Sequence, residues 1–144
     1  MDEQEPRWIE ENVSLAVEQL GPLSEVDFGL NRESVEWVEG FIERQRARPD
    51  FDPERIDGLV GVLGSFLGAC VAAATGGRWH RHDDEWGVLL PEGSTAFPFV
   101  KVRKQFRDGA ESGESIESFY RIAVDFIATG KMREAREKAG PGAT

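Results

Sequence analysis

The sequence predicts a single α+β domain: three N-terminal helices, a small antiparallel β-meander over about residues 78–99, then two C-terminal helices. Three observations carry this expectation. Apolar residues recur at helical spacing before residue 76 and again after residue 115. Residues 58–75 hold no charge at all, as a central buried helix would. Between them, residues 78–90 alternate around the pair Asp83-Asp84, as a hairpin does.

The first helix is residues 7–20, with Ile9, Val13, Ala16, Val17 and Leu20 on one stripe and "GP" ending it. The second starts at Asn31, a natural N-cap flanked by Leu30 and Val35 in staple positions. Its apolar face is Val35, Val38, Phe41 and Ile42, and Pro49 stops it. The third starts from Asp52 as N-cap with Pro53 in the first helical position.

Its uncharged run reaches the length of a membrane span. It is nevertheless rich in glycine, opens on acid, and gives the neighbouring amphipathic helices a surface to pack on. A buried core helix is the better reading. Gly61, Gly64, Ser65 and Gly68 form a smooth stripe, which would let another helix or the sheet approach closely. Cys70, the sole cysteine, falls in this helix and reads as inert packing.

After "GG" at 76–77, strands 78–82 and 85–90 pair across the Asp83-Asp84 turn. Alternation puts Trp79, Arg81, Trp86 and Val88 on one face and His80, His82, Glu85 and Leu89 on the other. "TAFPF", residues 95–99, is expected as a third strand, on an edge because of Pro98. "VKVRKQFRDG" follows as a short helix stopped by Gly109. The last helix carries Ile116, Phe119, Tyr120, Ala123, Val124 and Ile127, with Gly130 as its C′ residue. Residues 131–144 read as a frayed polar tail, so the core spans about residues 7–129 of one domain, 1–144.

Net charge is −10 and is unevenly placed. Residues 1–57 carry 16 Asp and Glu against 6 Arg and no Lys, whereas residues 58–144 balance at 11 against 11. An acidic surface of this kind suits a basic protein partner and repels phosphate, so nucleic acid is not expected as a ligand. One cysteine, and an N-terminus without a basic-then-apolar signal pattern, fit the cytoplasm.

Three clusters are candidate sites. His80, His82 and Glu85 share a sheet face and have the residue types of a metal site, yet a two-stranded lip is open and the chain has no third histidine. Lys101, Arg103, Lys104, Gln105 and Arg107 form the one basic cluster of an acidic chain, a candidate anion or partner contact. Trp79, Trp86, Phe97, Phe99 and Phe106 are expected to fill the core between meander and helices. No GxSxG, Walker loop or GxGxxG is present, and no cofactor is expected.

Leu63, Gly64, Phe66, Leu67 and Gly68, then Gly76, Gly77 and Trp79, then Trp86, Gly87 and Val88 form a recognisable series. It continues with Ala96, Phe97, Pro98, Phe99, Lys101, Val102, Lys104, Gln105 and Phe106. This series resembles a family of small uncharacterised bacterial domains with the pattern LGxFLG, GGxW, WGV and AFPFxKVxKQF, over about residues 30–125. The resemblance implies no activity. It includes Lys101, Lys104 and Gln105 but not the histidines.

The leading expectation is a non-catalytic protein-binding module, one version being an immunity-type protein that neutralises a basic partner. The alternatives are a small-molecule- or metal-dependent enzyme using His80, His82 and Glu85, and a structural homodimer joined through the glycine stripe or the basic cluster.

Overall fold

The computed structural model of the chain describes residues 5–138. Helices α1 (Arg7–Leu20), α2 (Arg32–Ala47) and α3 (Ile56–Thr75) come first. Strands β1 (Arg78–His82), β2 (Glu85–Leu89) and β3 (Thr95–Ala96) follow, then α4 (Pro98–Asp108) and α5 (Ile116–Lys138). The fold is α+β, and its sheet has the antiparallel order β1-β2-β3.

Helix α3 is the axle. Val60, Leu63, Phe66, Leu67, Cys70 and Val71 are all buried, and α1, α4 and α5 all pack against it. By length and composition alone Pro53–Thr75 could cross a membrane, but in the fold it is a core helix, with 56% of that window buried. The local signals act as expected. Asn31 Oδ1 accepts from Ser34 N at 2.8 Å, and Asp52 Oδ1 accepts from Glu54 N at 2.9 Å, with Pro53–Arg55 forming a 3-10 turn that leads into α3. Gly76 ends α3 with φ +79°, its N–H donating to Ala72 O at 2.9 Å.

The small-residue stripe on α3 is filled from within the chain. A methyl group at Gly64 would overlap the Phe99 ring and lie 3.0 Å from the Phe99 Cα. One at Gly68 would run into the Trp79 ring, with Pro98 Cγ at 3.0 Å. Nearer the start of α3, Asn12 of α1 donates to Gly61 O at 3.2 Å, and the buried Ser65 hydroxyl donates to the same carbonyl at 2.7 Å. So α1 rests on the Gly61–Ser65 end, and the start of α4 rests on Gly64 and Gly68.

The hairpin has the expected register, with Trp79 opposite Val88, His80 opposite Gly87, Arg81 opposite Trp86 and His82 opposite Glu85. Asp83 and Asp84 adopt φ of +48° and +65°, as a two-residue type I′ turn requires. Asp tolerates that left-handed conformation better than most residues. Trp79 and Val88 are buried, whereas Trp86, farther along the same face, is half-buried and Arg81 is exposed.

Two expectations are corrected. The third strand does not extend to Phe99: β3 is only Thr95–Ala96, and Pro98 is the first residue of α4. A proline that cannot donate to a ladder loses nothing in the first turn of a helix, where its N–H would have no partner. Nor does the last helix end at Gly130. Helix α5 continues to Lys138, because "KMREAREK" is made almost wholly of strong helix formers that outweigh one glycine. Residues 131–138 of the expected tail are therefore helical, and 139–144 lie outside the described residues.

Candidate functional site

Histidines 80 and 82 stand side by side on the outer face of the hairpin, ring centroids 5.9 Å apart. The His82 ring leans toward Phe97 at 6.1 Å, and its Nε2 lies 3.6 Å from Asp83. Among the described residues no three His, Cys, Asp or Glu side chains are placed to share a metal ion.

The basic cluster on α4 divides. Lys101 Nζ pairs with Glu114 at 2.9 Å and donates to Gly113 O at 3.3 Å. Arg103 pairs with Asp57, at the start of α3, at 2.8 Å. Arg107 forks onto Asp108 at 2.9 and 3.1 Å, and this hydrogen-bonded pair holds the Asp108 carboxyl below the usual carboxylate range. Lys104 is exposed and makes no ion pair among the described residues.

Gln105 turns inward and is fully buried. Its Nε2 donates to Glu43 Oε2 at 2.8 Å and to Glu39 O at 3.2 Å, while its Oε1 accepts from Ile116 N at 3.0 Å. Around it Glu43 accepts from Ala110 N at 3.1 Å, and Glu39 accepts from Glu117 N at 3.1 Å and from the Ser115 hydroxyl. Arg46 donates to Phe106 O at 2.9 Å and pairs with Glu43 at 3.2 Å. One glutamine thus ties α2, α4 and the start of α5 together. The sequence held a sign of this, since Gln105 shares the inward face of α4 with Pro98, Val102 and Phe106.

The described residues bound open surfaces of two kinds. One is a groove of about 340 Å³ between the end of the meander, α4 and α5. Leu90, Ala96, Phe119, Ile122 and Phe126 line it, with Lys101 at its edge. The other is a shallow depression of about 510 Å³ on the outer face of α1, bounded by Glu10, Glu11, Asn12, Ser14, Leu15 and Glu18. Among the described residues no basic side chain borders it. The nearby Glu5 carboxyl is raised, first by partial burial and then by the charge of Glu10.

Cys70 has no place in either surface. Burial pushes its thiol up to about 12. An unfolded thiol ionises near 8.5, so at higher pH the unfolded chain binds fewer protons than the folded one and stability falls. We expect a loss of roughly 1.4 kcal/mol per pH unit from about pH 9 toward 12. Denaturation of Cys70→Ala across that range should show a shallower slope than wild type; equal slopes would exclude the thiol as the cause.

No protein-family model, curated protein or solved structure matches the chain. The fold and its open surfaces define the class, an α+β domain with an acidic helical face and a separate apolar groove. Within that fold the series that suggested a resemblance is largely a packing unit. Gly64, Gly68, Trp79, Pro98 and Phe99 meet at one junction, Gly87 packs against Thr95 and Ala96, and Gln105 and Phe106 face inward.

Proposed function

We propose that this chain is a non-catalytic protein-binding module that receives a basic protein partner on the outer face of α1. The observation that carries the reading is the unneutralised acid there. Glu10, Glu11 and Glu18 make no ion pair among the described residues, whereas Arg32, Arg46 and Arg48 of the same acidic half are held by Glu36 and Glu117, Glu43, and Asp50. Exposed Leu15, and Trp8 at the helix start, supply apolar area for a partner beside the charge. An immunity-type role, in which the partner's own activity is blocked, is the specific version, and a cytoplasmic setting fits the buried free thiol.

The test is capture of a basic partner by the full chain and by the triple variant Glu10→Lys, Glu11→Lys, Glu18→Lys. We expect association with wild type to slow by roughly tenfold or more as salt rises from low to high, and the variant to lose that dependence together with its affinity. In the immunity-type version, one equivalent of wild type suppresses the partner's activity and the variant does not. Unchanged affinity in a variant of unchanged circular dichroism would sink the reading.

A further inference from the structure

We propose that the chain pairs with a second copy of itself through the groove beside α5. Ile122 and Phe126, one turn apart, are 63% and 50% exposed. They lie off the stripe of Ile116, Tyr120, Ala123 and Ile127 that α5 buries. Beside them is the hollow floored by Leu90, Ala96 and Phe119. One face therefore carries an apolar ridge and an apolar hollow next to each other. A two-fold axis sets the ridge of each copy into the hollow of the other and covers both at once.

The charges beside the ridge fit the same symmetry. Among the described residues Arg121, which is exposed, makes one hydrogen bond, to Ser118 at 3.4 Å, and Asp125, also exposed, makes no ion pair. With two α5 helices antiparallel about a two-fold axis level with residues 123–124, the ridge of each copy faces the other copy, and Arg121 of each lies within a turn of Asp125 of the other. A patch that meets itself brings like charges together unless it carries both signs in this arrangement. The glycine stripe of α3 is no rival route, because Phe99, Trp79 and Pro98 occupy it. The α1 depression shares no lining residue with the groove, so pairing leaves the acidic face open.

Sedimentation of the full chain from roughly 1 to 200 μM, a range in which modest interfaces titrate, tests the proposal. The expected result is a species of twice the 16.0 kDa chain mass. Ile122→Asp with Phe126→Asp should weaken pairing by at least about tenfold without changing the circular dichroism, since both side chains are half or more exposed. Arg121→Asp alone and Asp125→Arg alone should each weaken pairing by roughly threefold to tenfold, and the two together should restore it. A chain that stays monomeric throughout, including one whose groove instead takes up a fluorescent fatty acid, overturns the proposal. So does a dimer indifferent to Ile122→Asp with Phe126→Asp, or a charge swap that restores nothing.

Discussion

Gly68→Val should lower stability by about 3 kcal/mol or more, and Gly64→Ala by about 2 kcal/mol. Mid-helix Gly→Ala normally stabilises by up to about 1 kcal/mol, so at Gly64 the steric term must exceed that gain. The geometry says that it does. A methyl group at Gly64 meets not only the Phe99 ring, which can turn, but the Phe99 Cα at 3.0 Å, which moves only if the start of α4 lifts. At Gly68 the obstacle is the Trp79 ring, buried to 5% exposure between α3 and the meander. That ring cannot swing out without uncovering the core. Gly58 is the control: nothing lies within 4 Å of a methyl group there, so Gly58→Ala should stabilise by about 0.5–1 kcal/mol. Urea midpoints of the three variants decide the matter. If Gly64→Ala shifts the midpoint upward as Gly58→Ala does, α4 is not seated on α3 as described. The two clashes share the start of α4, so the double variant should cost less than the sum of its parts.

The helices and the hairpin register were legible because short-range rules decide them. Asn31 and Asp52 mark starts by what their own side chains bond to, and Asp83-Asp84 fixes the register of every residue from 78 to 89. The start of α4 was not legible. "TAFPF" satisfies the rules of an edge strand and of a helix N-terminus equally well, since both tolerate a residue without an N–H. Only the seat on Gly64 and Gly68 chooses between them, and that contact links residues thirty or more apart. The end of α5 was not legible either, because Gly130 has the form of a stop signal while the strong helix formers after it carry the helix on to Lys138.

The candidate sites were less legible still. A run of Lys and Arg marks α4 in the sequence, but Glu114 and Asp57, from elsewhere in the chain, pair with Lys101 and Arg103, and Asp108 of α4 itself pairs with Arg107, so that among the described residues Lys104 alone of the run is left without an ion pair. The groove is not legible in the sequence because its floor is assembled from Leu90, which follows β2, from β3 and from α5. Its signal was Ile122 and Phe126, two large apolar residues outside the buried stripe of their own helix. The acid excess of residues 1–57 was visible as a sum, yet not which acids are committed. Glu39 and Glu43 are absorbed by the network around Gln105, while the acids of α1 are left open.

Gln105→Met should cost about 3 kcal/mol, and Gln105→Glu should cost a comparable amount near neutral pH but much less in mild acid. Methionine keeps the volume and removes both donors and the acceptor. Ile116 N–H, Glu39 O and one oxygen of Glu43 then lose a partner at a site with no exposure, and each such loss costs about 1–3 kcal/mol before relaxation. Glutamate separates the hydrogen bonds from the volume. Its carboxyl can still accept from Ile116 N–H, but it places an oxygen where Nε2 now sits, 2.8 Å from Glu43 Oε2. Two carboxylates at that distance cannot both stay ionised, so the new group must take a proton on folding. Its pKa is then raised in the folded state, and the penalty grows by about 1.4 kcal/mol per pH unit above roughly 4.3, until it reaches the raised value. Stability of Gln105→Glu relative to wild type should therefore recover as pH falls from 7 toward 5, whereas that of Gln105→Met should not. If Gln105→Met proves neutral, the glutamine is merely enclosed and the α2–α4–α5 junction is held by apolar packing alone. If both variants lose stability with no difference in pH dependence, the donation from Gln105 to Glu43 is not what couples the two helices. The start of α5 should report the same event locally. Amide exchange at Ile116 and Glu117 should quicken in Gln105→Met, because the first N–H has lost its acceptor and the second depends on Glu39, whose own carbonyl is bonded by Gln105.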